Sequence, residues 1–146
     1  MAYQHILVPV DGSETAYAAL AQAADLAKAF QAKVTVVQVM TLDPYIAAEY
    51  ITAQQTNELI ERARRSIEED LKNAQAKFAE FGIEADTQLL EGQSISTEID
   101  KAAKQFSADV VVIGSHGRTG LKKLLLGSVA QSVLGEVDVP VLIVKG

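Results

Sequence analysis

The chain has 146 residues, 49% hydrophobic and 22% charged, which is enough to build one compact domain (1–146) around a substantial core. With no cysteine and only His5 and His116, disulfides, thiol catalysis and the usual zinc constellations are excluded. The formal net charge of −6 opposes general attraction to nucleic acid or an anionic membrane surface. No apolar run approaches the ~18 residues needed to cross a bilayer, and Met1-Ala2-Tyr3-Gln4-His5 lacks a secretory pattern, so a cytoplasmic location is expected.

Residues 5–10 read as a first strand running into Asp11-Gly12-Ser13. Ser13 opens a helix whose inward stripe is Tyr17, Leu20, Ala21, Ala24, Ala27 and Phe30, spaced by threes and fours as a 3.6-residue period requires. Residues 34–40 form a β-branched second strand. Residues 41–56 carry no readable pattern: Pro44 breaks regular structure, and Tyr45 and Tyr50 suit either a core or a partner. From Asn57 a long helix is predicted, with Leu59, Ala63, Ile67, Leu71, Ala74 and Phe78 inward. Glu61 with Arg65 and Glu68 with Lys72 are expected as exposed i,i+4 pairs. Gly82, after Phe81, supplies the left-handed residue of a helix end.

Residues 83–91 alternate as a half-buried strand near a sheet edge, and Gly92 with Ser94 opens a third helix through Ile95, Ile99, Ala102 and Phe106. The run at 110–113 is apolar on both faces, as expected of a central parallel strand. It stops at Gly114-Ser115-His116-Gly117-Arg118-Thr119-Gly120. Gly127 and Ser128, the latter as N-cap, precede a helix through Val129 and Leu134, and Val139-Pro140-Val141-Leu142-Ile143-Val144 is the last strand. Strand and helix alternate throughout, the pattern of an open parallel α/β sheet with helices on both faces.

The glycine-rich segments carry the chemistry. Glycine at the end of a buried strand permits positive φ and lets amide N–H groups approach a ligand closely. A serine at a helix start adds a hydroxyl and free amides suited to an anion. Each of these residues also occurs as an ordinary turn or cap. Two such corners, joined by a leucine-rich link, would hold one polyphosphate at the carboxyl ends of the strands, where open α/β sheets bind ligands. Arg118, Lys122 and Lys123 offer local positive charge there, or simply solubilise a loop. Asp11 is either an acceptor for ribose hydroxyls, an indirect ligand of phosphate-bound Mg²⁺, or a turn residue bonding the amides of Ser13 or Glu14.

The spacing Gly-x2-Gly-x9-Gly-Ser at Gly114, Gly117, Gly127 and Ser128 resembles the signature of the universal stress protein family in its ATP-binding branch. The opening Ile6-Leu7-Val8-Pro9-Val10-Asp11-Gly12-Ser13-Glu14 and the final strand extend the resemblance over essentially the whole chain. It implies a Rossmann-like, adenine nucleotide alpha hydrolase-like fold of five strands in the order 3-2-1-4-5. It implies ATP with Mg²⁺ as the ligand, its base against Pro9, Val10 and Val39 and its phosphates on Gly114, Gly117, Gly127 and Ser128. Ile113 and Val129 would flank the two corners, His116 and Arg118 would meet phosphate, and Asp11 would serve ribose or Mg²⁺. The implied role is a nucleotide-responsive stress or signalling module, homodimeric through antiparallel pairing of the last strand. The alternative is a slow ATPase or nucleotide-transferring enzyme. Against it, the chain lacks a Gly-x4-Gly-Lys-Ser/Thr loop, a Gly-x-Gly-x2-Gly fingerprint and a Ser-Gly-Gly-x-Asp-Ser stretch, and no residue is placed to activate water.

Overall fold

Alternation of apolar side chains along each strand sorts the core into two layers, one on either side of a sheet. The computed structural model describes residues 3–41, 52–115 and 126–145. In chain order the elements are β1 (His5–Pro9), α1 (Glu14–Phe30), β2 (Lys33–Thr41), α2 (Ala53–Glu80), β3 (Ala85–Gly92), α3 (Ile95–Gln105), β4 (Val110–Gly114), α4 (Ser128–Glu136) and β5 (Val141–Val144). All five strands are parallel, in the order β3-β2-β1-β4-β5. Ile6, Val8, Val34, Val36, Val110 and Val112 face α1 and α2, packing against Leu20, Ala24, Leu71 and Phe78. Leu7, Val37, Val111 and Ile113 face the other way, onto Ile99 and Ala102 of α3 and Val133 of α4. The expected fold class and strand order are therefore those observed.

Several local expectations need correction. The long helix starts at Ala53 rather than Asn57, because Thr52 and Gln55 form a reciprocal capping box: the Thr52 hydroxyl accepts from Gln55 N–H at 3.1 Å and Gln55 Oε1 from Thr52 N–H at 3.0 Å. That Thr-x-x-Gln signal was present in the stretch without a readable pattern. Leu59 is 49% exposed instead of inward, because the stripe that packs on the core runs through Ile60 and Ala63, and full burial begins at Ile67. Glu61 pairs with Arg64 at 3.7 Å rather than with Arg65, and Arg64 reaches Glu91 on β3 at 2.7 Å. Phe30 is exposed on one side, its ring set edge-on to Tyr3. Gly82 does adopt φ +79°, and the Ile83 amide reaches back to the Phe78 carbonyl at 2.9 Å, closing α2 as a Schellman turn.

Candidate functional site

The strand order reverses between β1 and β4, which leave the chain in opposite directions across the sheet. Their ladder is registered at Ile6–Val110 and Leu7–Val111. In a parallel strand, residues turn their backbone groups alternately to one neighbour and the other. The His5 carbonyl accepts from Asp109 N–H beside β4, while Val10 N–H donates to the Val37 carbonyl of β2 at 2.8 Å. Pro9 therefore falls at a position facing β4 and brings no N–H to extend that ladder. A crevice opens there, with a cavity of about 210 Å³ at the carboxyl ends of β1, β2 and β4.

The cavity gathers Pro9, Val10, Asp11, Val39, Ile113, Gly114, Gly127, Ser128 and Val129, nine of the residues expected at a site from sequence. His116, Gly117 and Arg118 lie outside the described residues. Sequence reasoning missed Ile95 and Ile99 of α3, which wall the cavity, because both read as ordinary members of a helix stripe. It also missed Ser115, Gln38, Val37 and Ala16. Only tertiary packing brings a residue after β4 next to residues on β1 and β2.

Asp11 lies just beyond the first strand, and its Oδ1 accepts from Ser13 N–H at 2.9 Å. That is the turn role, made possible by Gly12 at φ 81° between them. A carboxylate accepts several hydrogen bonds, so this one leaves Asp11 capacity for a ligand. Gly12 was overlooked as a positioning residue, although a glycine between Asp and Ser was the signal for it.

The second corner differs from expectation. The N-cap of α4 is Gly127, with φ −62° and ψ 155°, and Ser128 is the first helical residue. Gly127 N–H donates to the Ser115 carbonyl at 2.7 Å, and Ser115 N–H donates to the Val144 carbonyl at 2.8 Å, so one residue ties β4, β5 and the start of α4. No side chain caps α4. Gly114 stands in strand conformation rather than at positive φ; among the described glycines, positive φ falls at Gly12 and Gly82. What Gly114 contributes to the cavity is the absence of a side chain. Two buried side-chain atoms among the described residues have no hydrogen-bond partner, Gln38 Oε1 and Ser115 Oγ, and both residues line the cavity. Gln38 donates its Nε2 to Asp70 Oδ2 at 3.0 Å, and a carboxylate can only accept, which leaves the oxygen as the orphan.

The family model for the universal stress protein family matches residues 2–145. The chain belongs to the universal stress protein family. It is 36% identical over 144 residues to universal stress protein MJ0531 of Methanocaldococcus jannaschii, covering 98% of this chain and 82% of the relative. The solved structure of the hypothetical protein MJ0577 superposes with a TM-score of 0.82 at 30% identity, covering 100% of this chain and 98% of the other. A universal stress protein from Archaeoglobus fulgidus, solved in complex with dAMP, superposes with a TM-score of 0.70 at 26% identity, covering 99% of this chain and 100% of the other. In this universal stress protein no group of three or more His, Cys, Asp or Glu gathers as a metal site among the described residues. No helix among them is long and apolar enough to cross a membrane.

Proposed function

We propose that this universal stress protein binds ATP at the carboxyl ends of β1 and β4 and acts in the cytoplasm as a nucleotide-responsive module. The observation that carries the reading is the junction of an apolar slot with an anion-ready helix start in one cavity. Val10, Val37, Val39 and Ile95 offer a base-sized apolar wall, and α4 follows its N-cap Gly127 with no side-chain cap over its amides. The dAMP complex of the Archaeoglobus relative supports an adenine nucleotide on this fold. At about 210 Å³, the cavity falls below the roughly 300–1,000 Å³ of drug-sized pockets, which suits base and sugar with phosphates extending past Ser128. Asp11 is a single carboxylate, and that fits a hydrated Mg²⁺ already held by phosphate rather than a free-standing metal site. Gly114 and Gly117 complete the phosphate corner in this reading, with His116 and Arg118 beside it.

The same reading makes the protein a holder of nucleotide rather than a catalyst. Fast phosphoryl transfer needs a positioned nucleophile and charge aimed at the transition state, and Asp11 is the one carboxylate lining the cavity among the described residues. Equilibrium binding of labelled ATP with and without Mg²⁺ tests the site, and absence of binding overturns it. Single-turnover hydrolysis is expected well below ~1 s⁻¹; a rate of several per second lost in Asp11→Asn would make the protein an enzyme. A symmetric homodimer through β5 belongs to this reading, because no strand pairs with its outer edge among the described residues and Leu142 is 39% exposed. Sedimentation of Leu142→Asp as monomer, against wild-type dimer, is the expected result.

A further inference from the structure

We infer that the outer edge of β3 is closed to strand pairing with a second copy of this chain, and that Gln75 and Gln88 close it. The sheet has two outer strands, β3 and β5, and an outer strand offers unpaired N–H and C=O groups to any extended segment. Which groups β3 offers follows from the ladder. Lys33 N–H donates to the Gln4 carbonyl and the Val37 carbonyl accepts from Val10 N–H, so odd-numbered residues of β2 turn to β1 and even-numbered ones to β3. Val36 is registered with Thr87, and its backbone therefore bonds the flanking Asp86 and Gln88. The backbones of Ala85, Thr87, Leu89 and Glu91 are left facing outward.

Side chains already occupy two of those outward carbonyls. Gln75 reaches from α2 and donates Nε2 to the Ala85 carbonyl at 2.8 Å, and Gln88 donates Nε2 to the Leu89 carbonyl at 3.2 Å. Both bonds fall on outward residues, and each sets an amide where an incoming strand, ~4.8 Å away, would lie. At the far end of the edge Arg64 crosses from α2 to the Glu91 carboxylate at 2.7 Å. Charge acts in the same direction. Residues 83–92 hold Glu84, Asp86 and Glu91 and no Lys or Arg, so an antiparallel pair of β3 strands would bring acids against acids. The β5 edge is built otherwise: Val111 N–H donates to the Pro140 carbonyl and Ser115 N–H to the Val144 carbonyl, which turns Val141 and Ile143 outward, and residues 139–144 carry no charge. A sheet open at both edges can add copies without end, and one closed edge stops it. Where β5 pairs two chains, the closed β3 edges are the far ends of the dimer; the size of the assembly rests on that reading, and the closure does not.

The test opens the edge. A triple variant, Gln75→Ala with Asp86→Thr and Gln88→Thr, removes both amides and one acid, and alanine suits an exposed helix position. Sedimentation from micromolar to millimolar concentration reads the mass, with thermal unfolding measured alongside. Wild type should keep one mass throughout. The triple variant should melt cooperatively and grow with concentration, into rows of dimers where β5 pairs, and only to two chains once Leu142→Asp is added. A control carrying Gln88→Lys in place of Gln88→Thr returns a charge to the edge and should hold the wild-type mass. A triple variant of wild-type mass overturns the closure. Growth without a cooperative melt, or equal growth in the lysine control, overturns it too, since that is aggregation rather than strand pairing. A monomeric wild type whose triple variant stops at two chains upholds the closure and overturns the β5 dimer.

Discussion

The two ends of the sheet are built to opposite rules. At the amino ends of the strands, polar groups close on one another. The Asp109 carboxylate accepts the His5 N–H at 2.8 Å and the Gln4 N–H at 3.0 Å. The His5 ring joins the Phe106 carbonyl at 2.8 Å and the Thr35 hydroxyl at 2.7 Å. A carbonyl only accepts, so Nδ1 carries a proton, and in the neutral ring Nε2 accepts from Thr35. Helices α1, α2 and α3 end at this edge on left-handed residues, Gln31, Gly82 and Ser107, each followed by an amide that reaches back into the last turn. At the carboxyl ends, side chains cap α2 and α3, but not α1 and α4. The two orphaned buried polar atoms belong to residues lining the cavity at that edge. Polar groups are paired off at the amino edge, and the orphaned ones lie at the carboxyl edge, where the proposed ligand site is.

Substitutions at the two edges should therefore separate binding from stability. The largest effect is expected for Gly127→Val. The Gly127 backbone, at φ −62°, is allowed for any residue, so the variant should fold, and its loss should come from filling the space at the start of α4. ATP affinity should fall by at least ~100-fold, about 2.7 kcal/mol, with the melting temperature little changed. A calorimetric titration giving wild-type affinity would detach this helix from the site.

At the other edge, Asp109→Ala should cost about 1–2 kcal/mol of stability, because two backbone amides lose their acceptor, while nucleotide affinity stays at wild type. Burial pushes the Asp109 carboxyl up, but the amides of His5 and Gln4 outweigh it and hold it below the usual carboxylate value. A lowered folded pKa means that the stabilisation is complete above the unfolded value, near ~3.9, and is lost as pH falls through the folded one. The stability gap between wild type and variant should accordingly be full at neutral pH and shrink below about pH 4. Urea titrations at pH 7 and pH 3 showing an equal gap would refute the charge-based part of this account.

The smallest effect sharpens the same contrast. Gln31 holds φ 53° without being glycine, a conformation that costs a side chain of the L hand. Gln31→Gly should stabilise the protein by about 0.5–1 kcal/mol, the gain at the left-handed position outweighing the added freedom of the unfolded chain. Binding should not respond, and a denaturation midpoint at or below wild type would show that the Gln31 side chain contributes more than its backbone strain costs.

How much of this was legible in the residues depended on whether the signal was local. Strand and helix alternation, the left-handed Gly82 and the Ser94 cap follow from periodicity and from conformations few residues adopt, and they appear where expected. The Thr52–Gln55 capping box was equally local but fell at the end of the stretch that Pro44, Tyr45 and Tyr50 left without a pattern, just ahead of the periodic run. Within the site, Pro9, Asp11 and Gly127 were recognisable because their chemistry is unusual at strand and helix ends. Ile95, Ile99 and Ser115 were not, since an isoleucine at helical spacing or a serine after a glycine looks the same whether it faces core, solvent or cavity.

By itself the sequence determined the elements, their alternation around a parallel sheet, and a glycine spacing at Gly114, Gly117, Gly127 and Ser128 that resembles the family's signature. Tertiary structure decided the rest. It showed that Gly127 rather than Ser128 caps α4, that the β1–β4 register runs through Ile6–Val110 and Leu7–Val111, and that Ser115 keeps a buried hydroxyl without a partner. The reason is physical: periodicity and backbone preference act within a few residues of chain, whereas a cavity and its orphaned polar atoms depend on which segments meet across about 100 residues, as those of Asp11 and Ser115 do here.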